Sequence, residues 1–245
     1  MGVNSALDRH ETITDYRGLR LKDLFTPEYR HLWLLLFWAG YAVVFTLIER
    51  YFTAEVYYPM HCAIDDLIPF SEIFVVPYVS WYFYLMFAHL YLLGRDVEAF
   101  KKMMRFFIIT YAYAILFCLV FPNCQDMRPA SFASDNILTR IMAVIYTLDT
   151  STNVSPSMHV LGTCAATFAL ITTKGFSTPL RKAALIVLSV LICVSTVFVK
   201  QHSILDIAAA VPVCVAAWFA CFGKTTRKHA AVKKRLGIIN SIFLQ

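Results

Sequence analysis

The sequence is poor in charged residues. Asp, Glu, Lys and Arg make up only 16% of its 245 residues, whereas hydrophobic residues make up 59%. Ordinary globular domains carry about 25% charged residues. A soluble domain of this length could not bury so much apolar surface, so we expect lipid to cover much of it. The composition therefore indicates an integral membrane protein.

Several patterns typical of other protein classes are absent. The chain has no zinc-finger or Cys-x-x-Cys spacing, no low-complexity tract rich in Lys and Arg, and no evident internal repeat. Ala6 stands where a myristoylation signal requires Ser or Thr. The first thirty residues mix both charges without an apolar core, unlike a cleaved signal peptide. We therefore predict no metal, no other cofactor and no nucleic-acid partner.

Seven apolar runs organise the chain. Six of them approach the roughly 20 residues that a spanning helix needs. The shortest run lies between Arg140 and Asp149, and we predict a helix lying within a loop there. The runs are 31–48, 73–93, 106–121, 142–146, 160–172, 184–199 and 204–222. The sequence thus predicts an all-α bundle of six transmembrane helices.

The bundle is predicted to occupy residues 31–222. Residues 1–30 are predicted to form a cytoplasmic or interfacial segment, with Leu21, Leu24 and Phe25 facing lipid from a short helix. Residues 223–245 are predicted to form a basic cytoplasmic tail near anionic headgroups.

The distribution of basic residues predicts the orientation. With the N-terminus inside, 18 of the 22 Lys and Arg residues fall on the cytoplasmic side, as the positive-inside rule requires. The four exceptions are Arg50, Arg128, Arg140 and Lys200. An even number of helices then places both termini in the cytoplasm. We expect a multi-pass protein of the cell membrane.

Unusual polar residues fall on the predicted outer side. They form three groups that are distant in sequence, and the topology, derived without them, places all three at the same membrane face. The groups are Arg128-Pro129, Pro156-Ser157-Met158-His159, and His202 with Asp206.

These residue types suit phosphoryl transfer. His202 and Asp206 are four residues apart, so they share a helix face, and a carboxylate there orients the imidazole for acid–base work. His159 lies at a helix N-terminus, where free N–H groups favour an anion. In this hypothesis His159 attacks phosphorus, and His202, held by Asp206, protonates the leaving oxygen.

Arg128 and Ser157 would bind the phosphate. A guanidinium can grip phosphate oxygens with two bonds, and the N–H groups around Ser157 would hold the remaining oxygens. Plainer alternatives remain open: a histidine at a helix end is often structural, and Ser157 could serve merely as an N-cap.

At these residues the chain resembles the type 2 phosphatidic acid phosphatase superfamily. The family pattern is Lys, six residues, Arg-Pro; then Pro-Ser-Gly-His; then Ser-Arg, five residues, His, three residues and Asp. The third motif is matched by Ser195, His202 and Asp206, and the resemblance spans about residues 30–222. It implies a helical bundle, a phosphohistidine on His159, and a lipid phosphate or diphosphate substrate that enters from the membrane.

The chain departs from this pattern at three positions. Phe121 replaces the lysine, Met158 the glycine and Thr196 the arginine. Lys200 could replace one missing cation, or it could be an interfacial lysine with its charge in water. The resemblance favours a lipid phosphatase, because phosphatases dominate the superfamily.

In its reduced number of cations the chain resembles the branch that contains sphingomyelin and inositol phosphorylceramide synthases. Those enzymes transfer a headgroup between lipids. The segment from Asp65 and Asp66 to Pro77-Tyr78 also resembles that branch. Either aspartate could contact a headgroup or pair with Arg128, or both could be solubilising loop charges. A headgroup phosphotransferase is therefore the alternative enzyme.

Two further possibilities concern cysteines and transport. Cys62 and Cys124 are the two of seven cysteines in predicted outer loops, so they could form a disulfide in an oxidising exterior or remain free thiols. A non-enzymatic transporter would line a path with polar residues within its helices. The clustering of polar groups at one face argues against that. The sequence predicts no particular oligomeric state.

Overall fold

The computed structural model describes residues 11–52 and 54–223, which are mostly helical (69% helix and 2% strand). Short 3-10 helices cover Leu21–Phe25, Arg30–Leu35, Glu72–Phe74 and Lys174–Phe176. The strands are β1 (Tyr58–Pro59) and β2 (Asn123–Cys124). The helices are α1 (Leu36–Tyr51), α2 (Ala63–Asp66), α3 (Val75–Arg95), α4 (Val97–Val120), α5 (Ile137–Leu148), α6 (Met158–Leu170), α7 (Pro179–Phe198) and α8 (Ile204–Cys221).

Five helices in the described part of the chain are long and apolar enough to cross a membrane. They are Arg30–Tyr51 and Glu72–Arg95, each continuous with its preceding 3-10 turn, together with α4, α7 and α8. Large hydrophobic side chains on their outer faces are exposed, among them Val43, Phe83, Leu116, Val187 and Phe219. Faces of this kind are stable against lipid and costly in water.

Two shorter apolar helices, α5 and α6, accompany the five long ones in the described part of the chain, and α6 is the one that packs among them. Its 13 residues extend about 20 Å at 1.5 Å per residue, less than the roughly 30 Å of a hydrocarbon core. It contacts α3, α4, α7 and α8. Gly162, Ala165, Ala166 and Ala169 are buried in it, and such small residues let neighbouring helices approach closely. α6 therefore forms the centre of the bundle.

The helix boundaries differ from the predicted runs where charged residues occupy a helix end. α4 begins at Val97, nine residues before the predicted Phe106, because Asp96 caps it by accepting a hydrogen bond from the Ala99 N–H at 3.1 Å. α5 lies between α4 and α6, as predicted, but it is longer than the predicted 142–146. Asn136 caps it through the N–H groups of Leu138 and Thr139.

The N-terminal segment contains the predicted short helix only in part. Residues Leu21–Phe25 form a 3-10 helix, on which Leu21 and Phe25 are exposed. The Tyr16 hydroxyl ties this region to the bundle through His31 Nε2 at 2.7 Å. Residues 1–10 and 224–245, which include nearly all of the predicted basic tail, lie outside the described residues.

Two loops at one end of the bundle are joined by backbone pairing. β1 and β2 are parallel, with Tyr58 opposite Asn123 and Pro59 opposite Cys124. The Phe121 ring stacks on Tyr58 with 4.5 Å between ring centroids. Cys62 and Cys124 are free thiols in the structure. The alternative of a disulfide between them is therefore not realised, and the strand pairing joins the loops instead.

Candidate active site

A cavity of about 350 Å³ opens at the end of the bundle where α6 and α8 begin. Aromatic and aliphatic side chains of α1, α3 and α5 form much of its wall. Its polar lining includes His159, His202, Gln201 and Asp149. The cavity thus combines an apolar wall with a small group of titratable side chains, as binding sites for small molecules commonly do.

His159 lies in the first turn of α6 and is buried. Its imidazole packs against Tyr78 and Trp81, with ring centroids at 4.5 and 4.3 Å. Its Nε2 has no hydrogen-bond partner in the part of the chain that the structure describes. A neutral imidazole held in this way has a nitrogen free to act as a nucleophile.

His202 precedes α8 and lies beside His159, with 5.7 Å between the ring centroids. Its Nδ1 is 3.2 Å from Asp206 Oδ2. The same carboxylate oxygen accepts the Ser203 N–H at 2.9 Å, so Asp206 also helps to cap α8. Asp206 is fully buried, which fixes the ring that it holds. The structure therefore brings the three predicted catalytic residues together.

The backbone couples α6 to α8 at this point. The Ser157 N–H donates to the Asp206 carbonyl at 3.2 Å. Ser157 is the N-cap residue of α6, but its hydroxyl makes no capping bond and has no partner among the described residues. The reading of Ser157 as a side-chain N-cap is therefore wrong. Ser157 is also fully buried and does not line the cavity, so its hydroxyl does not reach a ligand bound there.

Arg128 is close to the site but is occupied by protein acceptors. Its Nη1 donates to the carbonyls of Tyr146 and Asp149, and its Nη2 to Thr150 O and Gln201 Oε1 at 2.8 and 2.6 Å. The guanidinium also lies 4.7 Å from the Tyr146 ring centroid. A two-bond grip on phosphate would break these contacts. In this geometry Arg128 instead positions Gln201 and the segment after α5.

Lys200 likewise does not reach the cavity. Its ammonium is buried and donates to the Asp65 carbonyl at 2.8 Å. Its backbone has φ of +54°, a left-handed conformation that is costly for residues with a Cβ. Lys200 was expected to contact phosphate. Its ammonium group instead binds the backbone of the loop that contains Asp65.

Asp65 and Asp66 do not pair with Arg128. Asp65 is 1% exposed and accepts hydrogen bonds from the Ser203 hydroxyl at 2.6 Å and from the Ile204 and Cys62 N–H groups at 2.9 Å each. Desolvation alone would raise the pKa of Asp65, but these hydrogen bonds outweigh it and lower the pKa. Asp66 is exposed and pairs with His61. Asp65 thus holds the start of α8 rather than a headgroup.

Five polar residues of the cavity lining were not predicted from the sequence: Asp149, Thr150, Thr152, Asn153 and Gln201. Gln201 Nε2 contacts Asp149 Oδ2 at 3.2 Å and the Tyr78 hydroxyl at 3.4 Å. From the sequence, Asp149 marks only the end of the short apolar run, because a single aspartate after a helix has no distinctive pattern. For Gln201, the sequence indicates proximity to the site only through its position directly before His202.

The segment that leads into α6 is fixed from two sides. Asn123 Oδ1 accepts the Ser155 N–H at 2.8 Å, and the Asn153 N–H donates to the Asn123 carbonyl at 2.6 Å. Glu49, at the end of α1, accepts from Asn153 Nδ2 at 2.8 Å and also from the Thr150 hydroxyl. These bonds hold the loop in place, so the first turn of α6 is positioned before any ligand arrives.

Comparisons with known proteins give no relative for this chain: no family model, no curated protein and no solved structure matches it.

Proposed function

We propose that this chain is an integral membrane enzyme, a lipid phosphatase or phosphotransferase that cleaves a lipid phosphoester through a phosphohistidine on His159. The observation that carries the proposal is the pair of imidazoles, His159 and His202, whose centroids lie 5.7 Å apart at the wall of one cavity. One ring has a nitrogen without a hydrogen-bond partner among residues 11–52 and 54–223, and the other is held by a buried carboxylate. A nucleophile needs a free nitrogen, and a general acid–base needs a neighbouring group that orients it.

The proposed reaction has two balanced steps. In the first, His159 Nε2 forms a bond to phosphorus, the ester P–O bond breaks, and protonated His202 gives its proton to the departing lipid oxygen. In the second, His202 takes a proton from the acceptor O–H, the acceptor oxygen bonds to phosphorus, and the N–P bond breaks. Asp206 keeps the His202 ring oriented and stabilises its protonated form. N–H groups at the start of α6 would bind the phosphoryl oxygens.

The membrane arrangement belongs to the same proposal. We take α6 and the five longer helices as six membrane helices. Both termini then lie in the cytoplasm, and the site faces outward. The distribution of Lys and Arg supports this orientation. The resemblance to the type 2 phosphatidic acid phosphatase superfamily supports the choice of lipid substrate.

Transfer to a second lipid is the other candidate outcome of the same intermediate. The specific observation in its favour is the shortage of free cations: Arg128 and Lys200 are bound to protein acceptors, and neither lines the cavity. A phosphomonoester carries up to two negative charges and a phosphodiester one. A site with few cations therefore suits the diester substrates of headgroup transfer better.

The test is to give purified protein a panel of lipid phosphates and phospholipids, following free phosphate and new phospholipids together. His159→Ala should abolish every cleavage, because no other group replaces the nucleophile. His61→Ala is the matched control, since His61 lies on the surface and pairs with Asp66; it should keep full activity. Full activity in His159→Ala would contradict the proposed mechanism.

Asp206→Asn probes the positioning role of this carboxylate. We expect a folded protein whose kcat falls by about 10²- to 10⁴-fold, because an amide no longer favours protonated His202. The dependence of kcat on pH should change as well, which a purely structural residue would not cause. An unchanged pH profile would contradict the role given to Asp206.

A further inference from the structure

The polar wall of the cavity carries more negative than positive fixed charge. In the described part of the chain no Lys or Arg side chain lines the cavity, whereas the Asp149 carboxylate does. Arg128 lies behind the wall and binds the Asp149 carbonyl at 3.0 Å. Glu49 adds a second carboxylate through its bonds to Asn153 and Thr150. Apart from the histidines, Asp149 therefore carries the only charged side chain among the described residues that line the cavity.

Asp149 is held in the cavity by the same residues that surround the candidate nucleophile. Gln201 Nε2 lies 3.2 Å from its carboxylate and 3.4 Å from the Tyr78 hydroxyl. The Tyr78 ring packs on His159. A continuous series of contacts thus joins Asp149 to His159, and the carboxylate is a fixed part of the site rather than a loose loop charge.

We infer that Asp149 is a specificity residue, whose negative charge disfavours doubly charged phosphomonoesters and leaves singly charged phosphodiesters as the preferred substrates. The inference rests on the proposed function and names its substrate class. It assigns a role to a residue outside the three motifs that suggested the reaction.

The physical basis is charge repulsion in a partly desolvated cavity. Like charges repel across the short distances of such a cavity, and a dianion feels twice the repulsion of a monoanion. Partial burial raises the pKa of the Asp149 carboxyl group, and the nearby charges of His202 and Arg128 oppose that shift. Repulsion is stronger in such surroundings than in bulk water.

The experiment compares two lipids that differ only in charge. Diacylglycerol phosphate is the monoester and its methyl ester is the diester, and both release diacylglycerol, so one assay follows both. The wild type should cleave the methyl ester with the higher kcat/KM. Asp149→Asn should reduce this preference by about tenfold. Asp126→Asn, an exposed loop aspartate outside the cavity, should leave it unchanged.

A second measurement uses the wild type alone, so it remains decisive if Asp149→Asn does not fold. Raising the salt concentration from about 0.05 M to 0.5 M shortens the screening length and should narrow the preference for the diester. A preference that neither salt nor Asp149→Asn changes would overturn the inference. If His159→Ala still abolishes cleavage in that case, the proposed function stands. Failure of the wild type to cleave either lipid would instead count against the proposed function.

Discussion

Gly162 shows how a single residue on the inside of α6 controls the site. A Cβ placed there would lie 2.9 Å from the Tyr111 hydroxyl and 3.1 Å from Trp81 Cζ2. Trp81 packs on His159, and Tyr111 donates to the Met158 carbonyl at 3.2 Å. The missing side chain therefore lets two aromatic residues approach the first turn of α6 and position the candidate nucleophile.

Gly162→Ala should reduce activity more than it reduces stability. The added methyl group must displace Tyr111 or Trp81, and a displacement of about 1 Å near reacting atoms costs on the order of 10- to 100-fold in rate. The protein should still fold, with a loss of roughly 1–3 kcal/mol from overpacking. Initial rates and thermal unfolding in detergent measure the two effects.

Gly40→Ala is the matched control, because no atom of the described residues lies within 4 Å of a Cβ at that helical position. It should leave the rate unchanged and slightly favour the helix. Equal rates for Gly162→Ala and Gly40→Ala would contradict the positioning role of Trp81.

The residue types of the site could be predicted from sequence, but their partners could not. The spacing of His202 and Asp206 predicted that they pair on one helix face. The structure shows the pair, but His202 lies before α8 rather than on it. The partners of Arg128 are mostly backbone carbonyls of the segment after α5. Backbone acceptors have no sequence signature, so a guanidinium that binds them is indistinguishable from one that is free for phosphate.

At the scale of elements, the loop between α1 and α3 acts as a clamp on α8. Asp65 in α2 accepts hydrogen bonds from Ser203 and Ile204 at the start of α8. A carboxylate at a helix N-terminus also interacts favourably with the helix dipole. Because His202 directly precedes Ser203, this clamp helps to fix the imidazole in the cavity.

Asp65→Asn should destabilise the protein by about 2–3 kcal/mol, since hydrogen bonds to a buried charge are worth that much. Asp66→Asn is the control: its exposed pair with His61 should contribute at most about 1 kcal/mol. Thermal unfolding in detergent gives both values. Similar losses for the two variants would show that the clamp has no special role.

The same variants should respond differently to pH. The pKa of Asp65 is lowered in the folded protein, so its stabilisation is complete above the unfolded value of about 4 and is lost as pH falls through the folded value. The stability difference between wild type and Asp65→Asn should therefore stay constant from pH 8 to 6 and narrow below about pH 4. A difference that persists unchanged at pH 3 would contradict this.

Helices were predictable from apolar runs, whereas their ends were not. An apolar run does not include the polar first turns of a helix. In α4, the capping Asp96 and the charged residues after it precede the apolar stretch. The pairing of β1 with β2 was also missed, because two residues in each loop carry no alternating pattern. Loop-to-loop contacts of this kind depend on the whole bundle.

At the scale of the whole molecule, the number of membrane crossings decides which side the termini occupy. Five helices meet the length criterion, and α6 would be the sixth. With six crossings, reporters fused to the two termini should both be cytoplasmic, in agreement with the basic flanks. Activity of a cytoplasm-dependent reporter at each end measures this. Reporters on opposite sides would mean an odd number of crossings.

Enclosure of α6 has a consequence for how the protein responds to its surroundings. Helices that meet lipid tilt or bend when bilayer thickness changes, at a cost known as hydrophobic mismatch. α6 carries the candidate nucleophile but is surrounded by α3, α4, α7 and α8, so its neighbours absorb that adjustment. Turnover should accordingly vary little between short-chain and long-chain host bilayers, provided that the chains of the substrate itself are kept constant.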